Sequence, residues 1–394
     1  MKNIDTKTIM QILPALNSGG VERGVIDVSL AVVEAGFKSI VLSSGGSMVG
    51  QLNSSKALHL TLPLASKNPF RIYSNANKIA KIIEENKVDL IHLRSRFPAW
   101  SAFLAIKKLK KSGVKCEMIS SFHGSYSLNL FSDKISKLKL RYNAIMLKPK
   151  FIIAVSNFIK NCITENYSEI TDLSSKEIRV IHRGVDLKYF SAANVSKTRI
   201  SDLITKWNLP EDKQIIILPA RITGWKGHKF LISALAKVQN PNFFCIMVGS
   251  MIGHEKFSDE VEQEIKNNNL EGKIQLVGQT KDMPAAYLVS DVVISSSIKP
   301  EAFGRIAIEA GSMGRIIIAT NIGGSKETVI DNKTGFLVEV DAVDDLAKTI
   351  DQVLTMNSKR KNQMQEEARK HISENFSNQK MLQKTIEFYQ QILK

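Results

Sequence analysis

The segment Lys299-Pro300-Glu301-Ala302-Phe303-Gly304-Arg305-Ile306-Ala307-Ile308-Glu309-Ala310 sets two carboxylates on either side of a glycine. It follows the apolar run VVISSSI and leads into an amphipathic run, so it reads as a loop from a strand into a helix starting near Gly304. A helix start offers unpaired N–H groups and a field that favours an anion such as a diphosphate. Glu301 before the helix and Glu309 within it are acceptors suited to sugar or ribose hydroxyls. The spacing alone equally fits a proline-started helix with two solvated glutamates.

A second set is Ala220-Arg221-Ile222-Thr223-Gly224-Trp225-Lys226-Gly227-His228. Arg221 and Lys226 bring two positive charges to a strand end, where they either neutralise a departing diphosphate or form a basic surface loop. The Walker pattern GxxxxGK[ST] is absent here. Gly19-Gly20-Val21 forms a turn that permits close backbone approach, but it lacks the full GxGxxG fingerprint of a dinucleotide site. His123 ends EMISSFH; it hydrogen-bonds either a substrate hydroxyl or a backbone carbonyl. Gly323-Gly324, followed by Glu327, suits a tight turn or a close approach to a ligand.

These residues need a frame, and the pattern supplies one. TIMQILPAL, KSIVLSS, VDLIHLR, VKCEMISSFH, FIIAVS and IRVIHRG read as strands alternating with helices. The pattern restarts at KQIIILPAR and continues through FFCIMVGS, KIQLVGQ, VVISSSI and IIIATNIGG. Nearly continuous β-branched runs are those of parallel strands buried on both faces. The expected fold class is α/β, with two Rossmann-like βαβ domains facing each other across a cleft and ligands at the carboxyl ends of the strands. The domains are expected at 1–190 and 191–375, with the break in the polar stretch 188–212. A final helix at 376–394, with Met381, Leu382, Ile386, Tyr389 and Leu393 on one face, is expected to pack back on the first domain.

Composition narrows the class. The 394 residues are 43% hydrophobic, enough for two cores. No run of 18 apolar residues predicts a membrane span, and the start lacks a convincing signal peptide. Cys116, Cys162 and Cys245 are scattered, with neither metal-ligand spacing nor a disulfide framework, which fits a reduced cytoplasm. The net charge of +16 is uneven: residues 71–150 hold 17 Lys and Arg against 5 Asp and Glu. That excess points to an anionic surface or substrate. The basic stretch lacks interleaved aromatics and a reading motif, which argues against nucleic acid. Within it, Ile135, Leu138, Tyr142, Ile145 and Met146 form one helical stripe flanked by Lys134, Lys137, Lys139 and Arg141, which suits either a helix lying on an anionic membrane or one packed on the domain's own sheet with its lysines solvated.

Taken together, these segments resemble the retaining glycosyltransferase family 4, with the GT-B fold. The resemblance runs over almost the whole chain and is densest from 213 to 340. The family's E-x7-E motif looks matched by Glu301 and Glu309, within Pro300-Glu301-Ala302-Phe303-Gly304 and on to Gly311. Ala302 stands for a commoner glycine, and Gly311-Ser312 for a more usual apolar pair. The resemblance implies that Glu301 contacts the donor sugar and Glu309 the nucleotide ribose. It implies that Arg221 and Lys226 hold the diphosphate, with Phe303 and Gly304 at the same anion site. Val277 and Gly278 would present backbone to the nucleobase, Gly20 would lie beside the donor phosphate, and His123 would position the donor sugar. The implied reaction is metal-independent transfer with retention, by front-side attack in which the leaving phosphate helps deprotonate the acceptor. The substrates implied are a UDP- or GDP-sugar and a glycan or lipid-linked acceptor of the cell envelope, such as lipopolysaccharide. The enzyme would be cytoplasmic, peripheral on the inner face of the membrane, with no cofactor beyond its donor. The alternative is a soluble transferase of the same fold making a small glycoside or storage sugar.

Overall fold

The computed structural model describes residues 6–17, 19–53, 56–66, 68–125 and 133–394, with the backbone alone at 53 and 133–137. The chain divides into two compact units: Met1–His182 with Met381–Lys394, and Arg183–Lys380.

Unit 1 is built on β1 (Thr8–Ile12), β2 (Lys38–Ser43), β3 (Leu58–Thr61), β4 (Val88–Leu93), β5 (Glu117–Phe122), β6 (Phe151–Ala154) and β7 (Glu177–Val180). All pairs are parallel, in the order β3-β2-β1-β4-β5-β6-β7. All five residues of β1 are buried, as its continuous apolar pattern requires. The short edge strand β3 has no fully buried residue; its Leu58-His59-Leu60-Thr61 alternates apolar and polar residues, without the continuous apolar run of the central strands. The helix Gly20–Glu34 covers β1 with Val25, Val28 and Val32. The helix Pro69–Glu85 starts where Asn68 accepts from the Phe70 amide and Pro69 presets the first turn.

Unit 2 carries β8 (Gln214–Pro219), β9 (Phe243–Val248), β10 (Ile274–Gly278), β11 (Val292–Ser295), β12 (Ile316–Thr320) and β13 (Phe336–Val338). These too are parallel, in the order β10-β9-β8-β11-β12-β13. Both sheets are therefore Rossmann-like, as expected. Each reverses direction once, between β1 and β4 and between β8 and β11, and the carboxyl ends of those strands form its ligand-binding edge.

The first passage between units falls at His182–Arg183, before the polar stretch at 188–212. That stretch contains the helix Lys197–Trp207. Val185, Phe190, Leu203 and Trp207 are buried in the core of unit 2, and the Val185 amide donates to the Phe376 carbonyl at 2.8 Å. Apolar anchors at long spacing thus bind this segment to unit 2 despite its polar composition.

The final helix spans Asn378–Leu393, and from Met381 onward it groups with unit 1. Phe388 and Tyr389 are fully buried there, beside Ile9, Leu90 and Ile119. The amphipathic stripe at 135–146 is not one continuous helix. The helix Asp133–Asn143 gives way to a tighter turn, Ala144–Leu147, that buries Ile145 and Met146. Tyr142 stacks on Phe97 and Trp100, leaving Leu138 exposed at 69%. The Lys134, Ile135 and Lys137 side chains lie outside the described residues. No described helix is long and apolar enough to cross a membrane.

Candidate functional site

The loops after β8 and β11 are fastened together before any side chain reaches the site. The Ile298 amide donates to the Trp225 carbonyl at 2.9 Å, and Ser296 Oγ donates to the Lys226 and Gly227 carbonyls at 3.2 and 3.1 Å. Gly227 has φ +73°, and a Cβ there would lie 1.8 Å from the Ser296 carbonyl oxygen, so only glycine fits. This contact delivers Lys226 to Glu301: Lys226 Nζ donates to Glu301 Oε1 at 2.7 Å, with the side chains 11% and 13% exposed. Ser297 Oγ donates to the same oxygen at 2.5 Å. The ammonium also sits 4.3 Å from the centroid of the Trp225 ring. Glu301 Oε2 has no protein partner among the described residues, so it is open to accept from a hydroxyl.

The helix Arg305–Ser312 begins at Gly304, whose φ is +84°, and no side chain caps it. Its first amides are available to an anion. The turn after β12 holds this loop from the other side. The Gly324 amide donates to the Glu301 carbonyl at 2.8 Å, and a Cβ at Gly324 would fall 2.3 Å from the Phe303 Cα. The Phe303 ring is buried edge-on against Phe376 at 5.6 Å, so it is a core side chain.

Glu309, one turn into that helix, is held at both oxygens. Arg305 Nη2 donates to Oε1 at 2.7 Å and Tyr287 Oη to Oε2 at 2.9 Å. Burial, with the neighbouring carboxylate, pushes the Tyr287 hydroxyl well above its ordinary pKa, which keeps it a donor. Arg221 follows β8, is exposed, and has no carboxylate in ion-pair range among the described residues. Val277 and Gly278 end β10, half-buried; Gly278 has φ +70°, and its carbonyl accepts from the Gly249 amide at 2.9 Å. His228 starts the next helix, fully buried. Burial, helped by the Lys226 charge, drives its pKa down to about 4 against the pull of the Thr223 and Ala220 carbonyls.

The residues singled out in unit 2 sit at strand ends or helix starts, except Glu309, which lies one turn into its helix. Gly20 and His123 hold corresponding places in unit 1, Gly20 opening the helix after β1 and His123 following β5, half-buried. Sequence reasoning missed Ser297, Tyr287 and Trp225. The serine run after β11 was the visible signal for Ser297, whereas nothing local marks Tyr287, which reaches Glu309 from a neighbouring helix. It also missed Arg94, which follows β4 and is 6% exposed. Arg94 Nε donates to Gln11 Oε1 at 3.0 Å and Nη2 to the Gly24 carbonyl at 3.1 Å. Among the described residues no His, Cys, Asp and Glu side chains gather as a metal-binding group.

Known proteins match both halves of the chain. The family described as Glycosyltransferase Family 4 matches residues 18–189, and that described as Glycosyl transferases group 1 matches residues 200–371. A crystal structure of a glycosyltransferase from Rickettsia africae ESF-5 shares 41% identity, covers 99% of both chains, and superposes with a TM-score of 0.87. Spore coat protein SA of Bacillus subtilis is 25% identical over 78% of this chain and 80% of its own length. Anabaena Alr3699/HepE, crystallised with UDP and glucose, shares the fold at 21% identity, with a TM-score of 0.81 over 98% of this chain and 100% of its own.

Proposed function

The chain belongs to glycosyltransferase family 4 and is a GT-B transferase that uses a nucleotide sugar, and from that premise we propose that unit 2 binds the donor and unit 1 the acceptor. The observation that carries the assignment is the Lys226–Glu301 pair beside the uncapped start of the helix Arg305–Ser312, with Glu309 one turn further on. In this reading the donor diphosphate lies over the first amides of that helix, neutralised by Lys226 and Arg221. Glu301 Oε2 accepts from a hydroxyl of the transferred sugar, and Glu309 accepts from the ribose. Val277, Gly278 and the backbone of Phe303 and Gly304 complete the nucleotide site, and the resemblance to the family gives Gly20 and His123 of unit 1 their roles toward the donor. The acceptor hydroxyl attacks the anomeric carbon from the side that the diphosphate leaves, and the departing phosphate oxygen takes its proton. No protein nucleophile takes part, and the configuration is retained.

The donor is a UDP- or GDP-sugar, and UDP is the first to test because Alr3699/HepE was crystallised with it. The acceptor is a glycan or lipid-linked glycan of the cell envelope, met at an anionic membrane. The support for that docking is the basic excess at 71–150 together with exposed Lys107, Lys108, Lys110 and Lys111 and outward-facing Phe70, Tyr73 and Leu138. A panel of UDP- and GDP-sugars, read by nucleotide release and by the anomeric configuration of the product, tests the transfer. Failure of every donor, or an inverted product, overturns the reading. Co-sedimentation with anionic vesicles at low and high salt tests the docking; no binding at low salt moves the acceptor to a soluble glycoside.

A further inference from the structure

The reversal point of the unit 1 sheet holds a buried charge that the donor reading leaves unused. Arg94 follows β4 directly, and its amide donates to the Ile12 carbonyl at the end of β1 at 3.0 Å, which fixes it between the two strands where the order reverses. The side chain is built in rather than draped. Gln11, which receives Nε, is itself held by the Val25 carbonyl at 2.9 Å and Ser29 Oγ at 2.8 Å, all buried. Yet among the described residues no carboxylate lies in ion-pair range of Arg94; its acceptors there are an amide oxygen and a backbone carbonyl. Burial lowers its pKa, and Asp27 and Tyr389 act on it only at longer range. A guanidinium deprived of water without a counter-ion is costly, and folded chains rarely keep one without use.

Asp27, on the same helix as Gly24, is ion-paired with Arg23 at 3.3 Å, and the start of the helix after β4 adds donors. Ser95 precedes the helix Arg96–Leu109, and its hydroxyl does not cap it. Arg96 is a second guanidinium in the first turn, tethered to Asn143 Oδ1 at 2.7 Å. His123 follows the adjacent strand β5 and acts electrostatically on buried His92.

We infer that Arg94, with Ser95 and Arg96, forms an oxyanion site that recognises a phosphate or carboxylate on the sugar acceptor. The inference rests on unit 1 taking the acceptor. Arg94 is a specificity residue: its planar fork, pre-set by Gln11 and Gly24, has an Nη1 edge left for an oxyanion.

The test uses the full chain saturated with UDP, so that unit 2 is occupied. Glucose 1-phosphate, glucuronate and glucose are titrated in by calorimetry. The expected result is that one of the two anions binds and glucose does not, with the phosphate and carboxylate arms telling which group is read. Arg94→Gln is expected to weaken that binding at least tenfold while UDP affinity stays at the wild-type value, and Arg94→Lys to fall between. Arg96→Ala, away from the sheet, gives a smaller loss and serves if Arg94→Gln fails to fold. Anion binding that is absent from the UDP-saturated wild type, equalled by glucose, or unchanged in both the Arg94 and Arg96 variants overturns the site. Loss of UDP binding by the wild type strikes the donor assignment instead and is read separately.

Discussion

Each sheet buries one cation where its strand order reverses, and the two are treated in opposite ways. In unit 2, Lys226 meets Glu301 at 2.7 Å, and Ser297 shares the carboxylate. In unit 1, Arg94 has neutral acceptors only. A paired charge keeps its partner in place: the ammonium orients Glu301, and a diphosphate arriving at Lys226 draws on a charge already desolvated and positioned. An unpaired one holds its field open for a ligand. The same topological position thus holds a cation compensated by a carboxylate in unit 2 and, among the described residues, one with neutral acceptors only in unit 1.

The comparison breaks most visibly at Lys226. Lys226→Ala is expected to lower turnover by about 10²–10³-fold and to weaken UDP binding, since it removes the charge at the developing phosphate. It also strands Glu301, so a second variant sharpens the point. Lys226→Met with Glu301→Gln is expected to regain thermal stability but not activity. A double variant as unstable as Lys226→Ala alone would mean the pair does not carry the cost.

Next comes acid. His228 has a pKa lowered from 6.5 to about 4 by burial beside the clamp. The unfolded chain therefore binds a proton that the folded chain refuses, and stability present above pH 6.5 is lost as pH falls toward 4. The two and a half units correspond to about 3 kcal/mol. Urea unfolding between pH 7 and 4, for the wild type and His228→Asn, measures it; parallel curves would remove His228 as the cause.

The glutamates separate binding from chemistry. Glu309→Gln is expected to cost about tenfold in nucleotide affinity, because a ribose contact exists in the ground state. Glu301→Gln is expected to lower kcat more than UDP affinity. Calorimetry with UDP beside steady-state kinetics decides, and the reverse pattern would exchange their roles. A change that should leave the donor site untouched lies in unit 1, where buried His92 contacts Tyr389 Oη at Nδ1 and Ser121 Oγ at Nε2. Tyr389→Phe is expected to cost about 1–3 kcal/mol in chemical unfolding by leaving one ring nitrogen unsatisfied, with UDP affinity unchanged.

How much of this was legible can be told from particular residues. The buried strands announced themselves because parallel strands need long apolar runs, and Gly227, Gly304 and Gly323 marked backbone that a Cβ would obstruct or strain. The edge strand β3 lacks such a run because half its surface meets water, and its mark is instead the alternation of Leu58 and Leu60 with His59 and Thr61. The stripe at 135–146 left two readings open because periodicity reports which residues share a face, not whether that face meets solvent or the domain's own core.

By itself the sequence determined the alternation of strands and helices, and with it two parallel sheets and strand-end loops carrying Arg221, Lys226, Glu301 and Glu309. Those follow from local periodicity and from turn chemistry, which neighbours in the chain dictate. Only the tertiary structure decided which charges are paired. Lys226 and Glu301 are 75 residues apart, Tyr287 and Glu309 are 22 apart, and Arg94 reaches back 83 residues to Gln11. A side chain's electrostatic partner is set by where the strand order brings loops together and how much water is expelled there, and neither quantity is local in sequence.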